Sequence, residues 1–285
     1  MVLKRILNIS SFLLVSSAIL SCYYFPALSQ QLTHSHLKQK LIPIDSDITS
    51  SLAPTGIFRV GINLGNPVLA ELDKRSLKPI GISVDIANTI ADRANLAIEL
   101  IPFQSAGATV DAIKTGNIDM IFVAIDPVRG ADIAYTPPYI QIEGAYLVKS
   151  ISPIKFNEEV DVFGNEILVG KGSAYDLFLT REIKNATISR AINSQSVVSD
   201  FVNGQGNVAA GVKQQLEKDS KYYPNLRILP GRFMVINQSI GIPKSRSNTD
   251  KTLVYLSGII EELKTSGFVA EAMKRHNIEG AKVAE

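Results

Sequence analysis

The sequence predicts an α/β protein of two lobes, each an open, mostly parallel sheet flanked by helices. Three observations carry that expectation. From Thr55 onward, short β-rich runs alternate with segments of helical apolar spacing. Ile118–Ala124 is almost continuously apolar, as in a strand covered on both faces. A second series of alternation starts at Glu166 and returns to helices near the C-terminus, so one lobe is built from discontinuous segments. A length of 285 residues suits two such units, at roughly 150 residues per domain.

The chain opens with an export pattern. Lys4 and Arg5 precede an apolar stretch from Ile6 to Leu20, and small residues follow. This reads as a signal peptide over residues 1–29. Ala27-Leu28-Ser29 fits cleavage before Gln30, whereas Ile19-Leu20-Ser21-Cys22 fits a lipobox that would place a lipid on Cys22. Either way the folded part is expected outside the cytoplasm, in the periplasm or its equivalent. Residues 30–54 are rich in Ser and Thr and read as a polar linker.

The elements then follow in order. Strands are expected at Ile57–Ile62, Ala97–Pro102, Ile118–Ala124 and Ala145–Lys149. Val84, Ile86, Ala87, Ile90, Ala91 and Ala94 mark a helix by their spacing, and a second runs from Ser105 to Thr115, closed by Gly116. The second series places strands at Glu166–Val169, Thr187–Ala191, Asn207–Ala210 and Leu226–Leu229. Its helices are expected at Ala174–Ile183, Val197–Val202 and Lys213–Asp219. A strand at Ser239–Ile242 and helices at Thr252–Leu263 and Gly267–His276 complete the chain.

Composition removes several function classes. Charges number 29 Lys+Arg against 27 Asp+Glu, and losing residues 1–29 removes two basic residues, leaving 27 of each. A neutral chain offers no electrostatic case for nucleic acid. One cysteine excludes disulfide scaffolds and Cys-rich zinc sites, and three histidines (His34, His36, His276) make a catalytic triad or a multi-His metal site improbable. No metal and no cofactor is expected.

Ligands in open parallel sheets collect beyond the carboxyl ends of the strands. The candidates there are Asn66 after the first strand, Ser105 after the second, and Ala124, Asp126 and Arg129 after the third. In the second series Ser173 and Ala174 open a helix whose N–H groups suit an anion, although Ser173 equally serves as an ordinary N-cap. Lys213 follows a strand and could meet a negative ligand or lie on the surface as a solvated charge. Arg129 has the planar fork that suits a carboxylate, with a structural ion pair as the plain alternative.

Four motifs stand in register: Gly81-Ile82-Ser83-Val84-Asp85, Ala112-Ile113-Lys114-Thr115-Gly116-Asn117-Ile118-Asp119, Ile125-Asp126-Pro127-Val128-Arg129 and Tyr135-Thr136-Pro137-Pro138-Tyr139. Their order and spacing resemble the family 3 solute-binding proteins of ABC importers, over about Gly56 to Asn277. The resemblance implies a type II periplasmic-binding-protein fold with a ligand cleft between the lobes and two hinge strands. It implies lobe one at 55–144 plus 237–285 and lobe two at 145–236. It implies that Arg129 and the Gly172-Ser173 turn hold the ligand's carboxylate.

The sequence departs from that family in three places. Asp126 stands where amino-acid binders usually carry threonine, Gly206–Val212 contains no acid to meet an ammonium, and no aromatic follows the first strand near Pro67-Val68. Asp126 either caps a turn or supplies the displaced negative charge, or the ligand lacks an ammonium. The implied function is capture of a small polar, carboxylate-bearing solute, an amino acid or related compound, by a monomer that delivers it to an importer permease. The alternatives are an exported dehydratase on the same fold, with Asp126 or Glu143 as the acid, and a ligand-sensing accessory subunit.

Overall fold

The computed structural model describes residues 44–285, so the expected signal peptide, Cys22 and the first part of the polar lead lie outside the described residues. In chain order the elements are α1 (Ser46–Leu52), β1 (Phe58–Asn63), β2 (Glu71–Leu72), β3 (Pro79–Ile80), α2 (Ile82–Ala94), β4 (Ile98–Phe103), α3 (Ala106–Lys114), β5 (Met120–Ala124), β6 (Ile133–Tyr135) and β7 (Ile140–Lys149). They continue with β8 (Glu166–Gly170), α4 (Ala174–Glu182), β9 (Thr187–Ala191), α5 (Val197–Val202), β10 (Val208–Val212), α6 (Lys213–Ser220), β11 (Leu226–Ile228), β12 (Met234–Pro243), α7 (Thr249–Thr265), α8 (Phe268–Arg275) and β13 (Lys282–Val283). Among the described residues no helix is long and apolar enough to cross a membrane.

The sheet runs β4-β1-β5-β12-β7-β10-β8-β9. Its two wings are parallel: β1 pairs with β4 and β5 on one side, and β8 pairs with β10 and β9 on the other. Between them β12 and β7 pair antiparallel, Met234–Gln238 against Gly144–Ile140. Each wing with its helices is one lobe of an α/β protein, as the sequence predicts. The expected division at 144/145 and 236/237 falls inside β7 and β12, which run from one wing into the other. Gly144 stands at this crossing, and a Cβ there would lie 2.7 Å from Met234 and 2.8 Å from Phe233. A side chain there would have to displace those of Met234 and Phe233, which pack over the glycine.

The apolar runs explain the layers. All five residues of β5 and all five of β10 are buried, because helices cover both faces of the central parallel strands. The core runs from Phe58, Ile62 and Phe122 through Tyr139 and Ile142 to Ile167 and Val208. Tyr139, fully buried, meets Phe122 edge to face at 5.9 Å and shares a hydrogen bond with Ser83 at 3.2 Å. Two of the sequence motifs thus meet in the core, not at a ligand. At the C-terminus, α7 and α8 fold back on the first wing, where Arg93 grips Glu262 and Arg275 grips Asp85.

One expectation needs correcting. In the described part of the stretch read as a linker over 30–54, the chain forms helix α1. Its N-cap is Asp45, whose carboxylate accepts from Asp47 N–H at 2.9 Å. Ile48 and Leu52, four residues apart, share one buried face, and Lys251 on α7 pairs with Asp45 and Asp47. Of the serines that suggest a linker, Ser46 and Ser50 lie on the exposed face of this short helix and Ser51 is buried beside Leu52.

Asp119 is the strongest polar joint. It is fully buried and accepts from Arg59 through Nε at 3.0 Å and Nη2 at 2.8 Å, and from Arg246 at 2.9 Å. Arg246 also donates to Ser51 O at 2.8 Å, which ties α1 to the lobe. Removing the carboxylate strands two guanidinium groups. Asp119→Ala is therefore expected to lower unfolding stability by about 3 kcal/mol, read as a shifted urea midpoint.

Candidate functional site

The carboxyl ends of the parallel strands from both wings face one another. Asn63 ends β1, Ala124 ends β5, Val212 ends β10, and the Gly172-Ser173 turn follows β8. All but Gly172 line a cavity between the lobes that encloses about 30 Å³, room for about two waters. The lobes touch across it. A Cβ on Gly172 would lie 3.1 Å from the Gly107 Cα, and the positive φ of Gly172 (70°) suits glycine in any case.

Arg129 is held at this junction by a turn. Asp126 accepts through Oδ1 from Val128 N–H at 2.9 Å and Arg129 N–H at 3.4 Å, and Gly130 N–H donates to Asp126 O at 2.8 Å. The turn swings the Arg129 side chain back over the end of β5. It is 3% exposed, donating from Nη1 to Ala124 O at 3.1 Å and from Nη2 to Gly172 O at 2.9 Å. Among the described residues it makes no ion pair. Burial pulls its pKa below the ordinary arginine value, opposed by Tyr135 and Asp126 nearby. Tyr135 is no counter-ion, since burial pushes its phenol up to about 12.

The other expected residues divide. Asn66, Ala124, Ser173 and Ala174 line the cavity with Arg129. Asn66 accepts from Val68 N–H at 3.2 Å. Ser173 caps α4, its Oγ accepting from Asp176 N–H at 3.0 Å, and its own N–H is taken by Gly170 O at 3.1 Å. Ala174, the first helical residue, carries an N–H with no partner inside the helix.

Three others do not reach the cavity. Ser105 caps α3 through Ala108 N–H at 3.2 Å, and its neighbour Ala106 does the lining. Lys213 lies 3.4 Å from Glu143, and Val212 before it reaches the cleft instead. Asp126 faces away: its Oδ2 pairs with Arg181 of the other lobe at 2.9 Å.

Sequence reasoning missed Tyr175, Ser194, Ile236 and Gln238, which also line the cavity. For Gln238 the signal was present, a polar residue two positions from Ile236 and Ile240 in an alternating apolar strand. It also missed two clasps between the lobes. Besides Arg181–Asp126, Gln195 Nε2 donates to Leu64 O at 2.8 Å.

Residues 58–278 match the bacterial extracellular solute-binding proteins, family 3. The chain belongs to this family. Its fold recurs in a mutant of ArgBP from T. maritima, with a TM-score of 0.69 and 19% identity over 81% of this chain and all of that one. It recurs again in the ancestral amino acid-binding protein AncCDT-1, a precursor of cyclohexadienyl dehydratase, at a TM-score of 0.67 and 18% identity, covering 80% and 98%. A membrane-bound lytic murein transglycosylase F of Idiomarina loihiensis is 20% identical over 239 residues, 81% of this chain and 51% of the relative. The chain thus spans about half the length of the curated relatives it matches. Within the family 3 fold, the stretch Gly206–Val212 carries no acid, and Val212 lines the cleft.

The glycine contact between the lobes can be blocked without touching a binding group. Gly107 sits in the first turn of α3, and a Cβ there meets Gly172 Cα at an ordinary 3.5 Å. A branched side chain extends beyond that contact. Gly107→Leu is expected to stay folded and to shift the lobes apart, seen as a larger radius of gyration in solution scattering, while Gly107→Ala is expected to leave it unchanged.

Proposed function

We propose that this family 3 protein is an extracytoplasmic receptor. It captures a small carboxylate-bearing solute between its lobes and delivers it to an ABC importer. The observation that carries the reading is Arg129: a buried guanidinium at the cavity, bonded to two carbonyls and to no carboxylate among the described residues. A buried cation without an ionic partner is costly, and a ligand carboxylate supplies one. The start of α4 adds the positive end of a helix dipole from the opposite lobe. A carboxylate held by both would draw the lobes together.

An acid-catalysing enzyme on this fold needs a carboxyl that keeps its proton inside the cleft. Neither candidate fits that need. Asp126 is ion-paired with Arg181. Glu143 is held below the usual carboxylate range by Arg232 and Lys213. Neither lines the cavity. These facts support binding over turnover.

A thermal-shift screen of amino acids, hydroxy acids and keto acids finds the ligand, since binding to the folded state raises the melting temperature. Calorimetry then tests Arg129. Arg129→Lys keeps the charge but loses the fork, and affinity is expected to fall by about 10- to 100-fold, or roughly 1.5–3 kcal/mol. Arg129→Ala is expected to lose more. Unchanged affinity in both variants would remove Arg129 from the site and overturn the carboxylate reading.

A further inference from the structure

The polar groups around this cavity have a bias that bears on which carboxylates fit. Asn63 and Asn66 each spend the side-chain oxygen on a backbone N–H, from Gly65 at 2.9 Å and from Val68 at 3.2 Å. That fixes which end of each amide is oxygen and leaves both NH₂ groups as donors. Both residues line the cavity and are more than nine-tenths buried, at 8% and 7% exposure. Arg129 adds guanidinium donors, and Ala174 an N–H at the start of α4. Gln238 is 5% exposed and lines the same cavity, and its side-chain amide has no protein partner among the described residues.

The acids around the cleft are all committed to cations of the protein. Asp126 pairs with Arg181, Asp176 with Arg190 at 2.9 Å, and Glu143 with Lys213 and Arg232. None of the three lines the cavity, whose only charged lining residue among the described residues is Arg129.

Resting on the carboxylate reading above, we propose that the cleft selects small monocarboxylic acids without an α-ammonium, that is, 2-hydroxy and 2-oxo acids. Gln238, Asn63 and Asn66 are the groups that read the oxygen beside the carboxylate. An α-ammonium is donor-only and lies two bonds from the carboxylate carbon, so it cannot leave the cleft that holds its partner group. There it would meet a guanidinium, the asparagine donors and only neutral acceptors such as the Gln238 carbonyl, with no carboxylate of the protein to match its charge and its hydration lost. A hydroxyl or keto oxygen at the same position accepts from the asparagine NH₂ groups, and a hydroxyl also donates to the Gln238 carbonyl. Because the lobes touch at Gly107–Gly172 and enclose only about 30 Å³, even a three-carbon acid enters only as the lobes part, and a smaller skeleton needs the smaller opening.

Calorimetry on the purified chain with two matched series tests this: pyruvate, L-lactate and L-alanine, then 2-oxoisovalerate, 2-hydroxyisovalerate and L-valine. The keto or hydroxy acid is expected to bind at least about tenfold tighter than the amino acid of the same skeleton. Gln238→Leu is expected to weaken the hydroxy and keto acids, and Gln238→Glu to reverse the order toward the amino acid. Melting curves of each variant establish that it is folded.

An amino acid that binds as tightly as its hydroxy and keto partners, with binding lost in Arg129→Ala, overturns this proposal and leaves the carboxylate reading standing. Binding of neither series, or binding indifferent to Arg129→Ala, overturns the carboxylate reading and this proposal with it.

Discussion

The antiparallel pairing of β7 with β12 is the constraint on which the rest of the molecule hangs. Each strand is ten residues long and changes partner along its length. Gln238 is the last residue of β12 paired with β7 and the first paired with β5. Gly144 is paired with Met234 on one side and Val212 on the other. The two points of exchange therefore define where one wing ends and the next begins. The carboxyl ends of β1, β5, β8 and β10 are aimed at a common space only because these two strands turn the wings toward each other.

Charge is distributed about that space in a consistent way. Three acids near the cleft are each matched by basic residues, and two of the pairs have structural duties. Asp126 with Arg181 crosses between lobes, and Asp176 with Arg190 braces the start of α4, where its Oδ2 also accepts from Gly172 N–H at 2.8 Å. Arg129 is treated differently, being given backbone carbonyls alone. A carbonyl dipole satisfies the hydrogen-bonding of a guanidinium without cancelling its charge. The positive potential at the cleft is thus preserved through folding, and two of the five guanidinium N–H donors are satisfied within the protein.

Much of the fold was legible because burial on both faces leaves an unmistakable apolar run, as in Met120–Ala124, and because helical spacing is regular in α2. The long reach of β7 and β12 was not, since Glu143 and Asn237 interrupt apolar stretches that the sheet nevertheless continues through. Helix α1 was hidden by its serines. At the site, Arg129, Asn66, Ala124, Ser173 and Ala174 could be read from their place after strands and at a helix start. Lys213 and Ser105 obey the same rule but point elsewhere, because position in the chain sets the Cα and not the side chain's partner. Asp126 was ambiguous between a turn cap and a ligand group. It serves the turn with one oxygen and Arg181 with the other. Gln238 carried a local signal in its alternating strand that was passed over, whereas Arg181 owes its partner to tertiary packing between distant segments, which no local pattern encodes.

The bond from Arg129 Nη2 to the Gly172 carbonyl has a consequence for how tightly any solute can be held. The carbonyl occupies one prong of the fork that a carboxylate would take with two. Under the proposed reading, a solute carboxylate that took both prongs would compete with this carbonyl, and its affinity would be the difference between the two engagements. The competitor is tethered, so it returns at a high effective concentration whenever the solute leaves. If the chain is the receptor proposed above, such a rival would favour release, because the protein itself would supply the group that takes the solute's place.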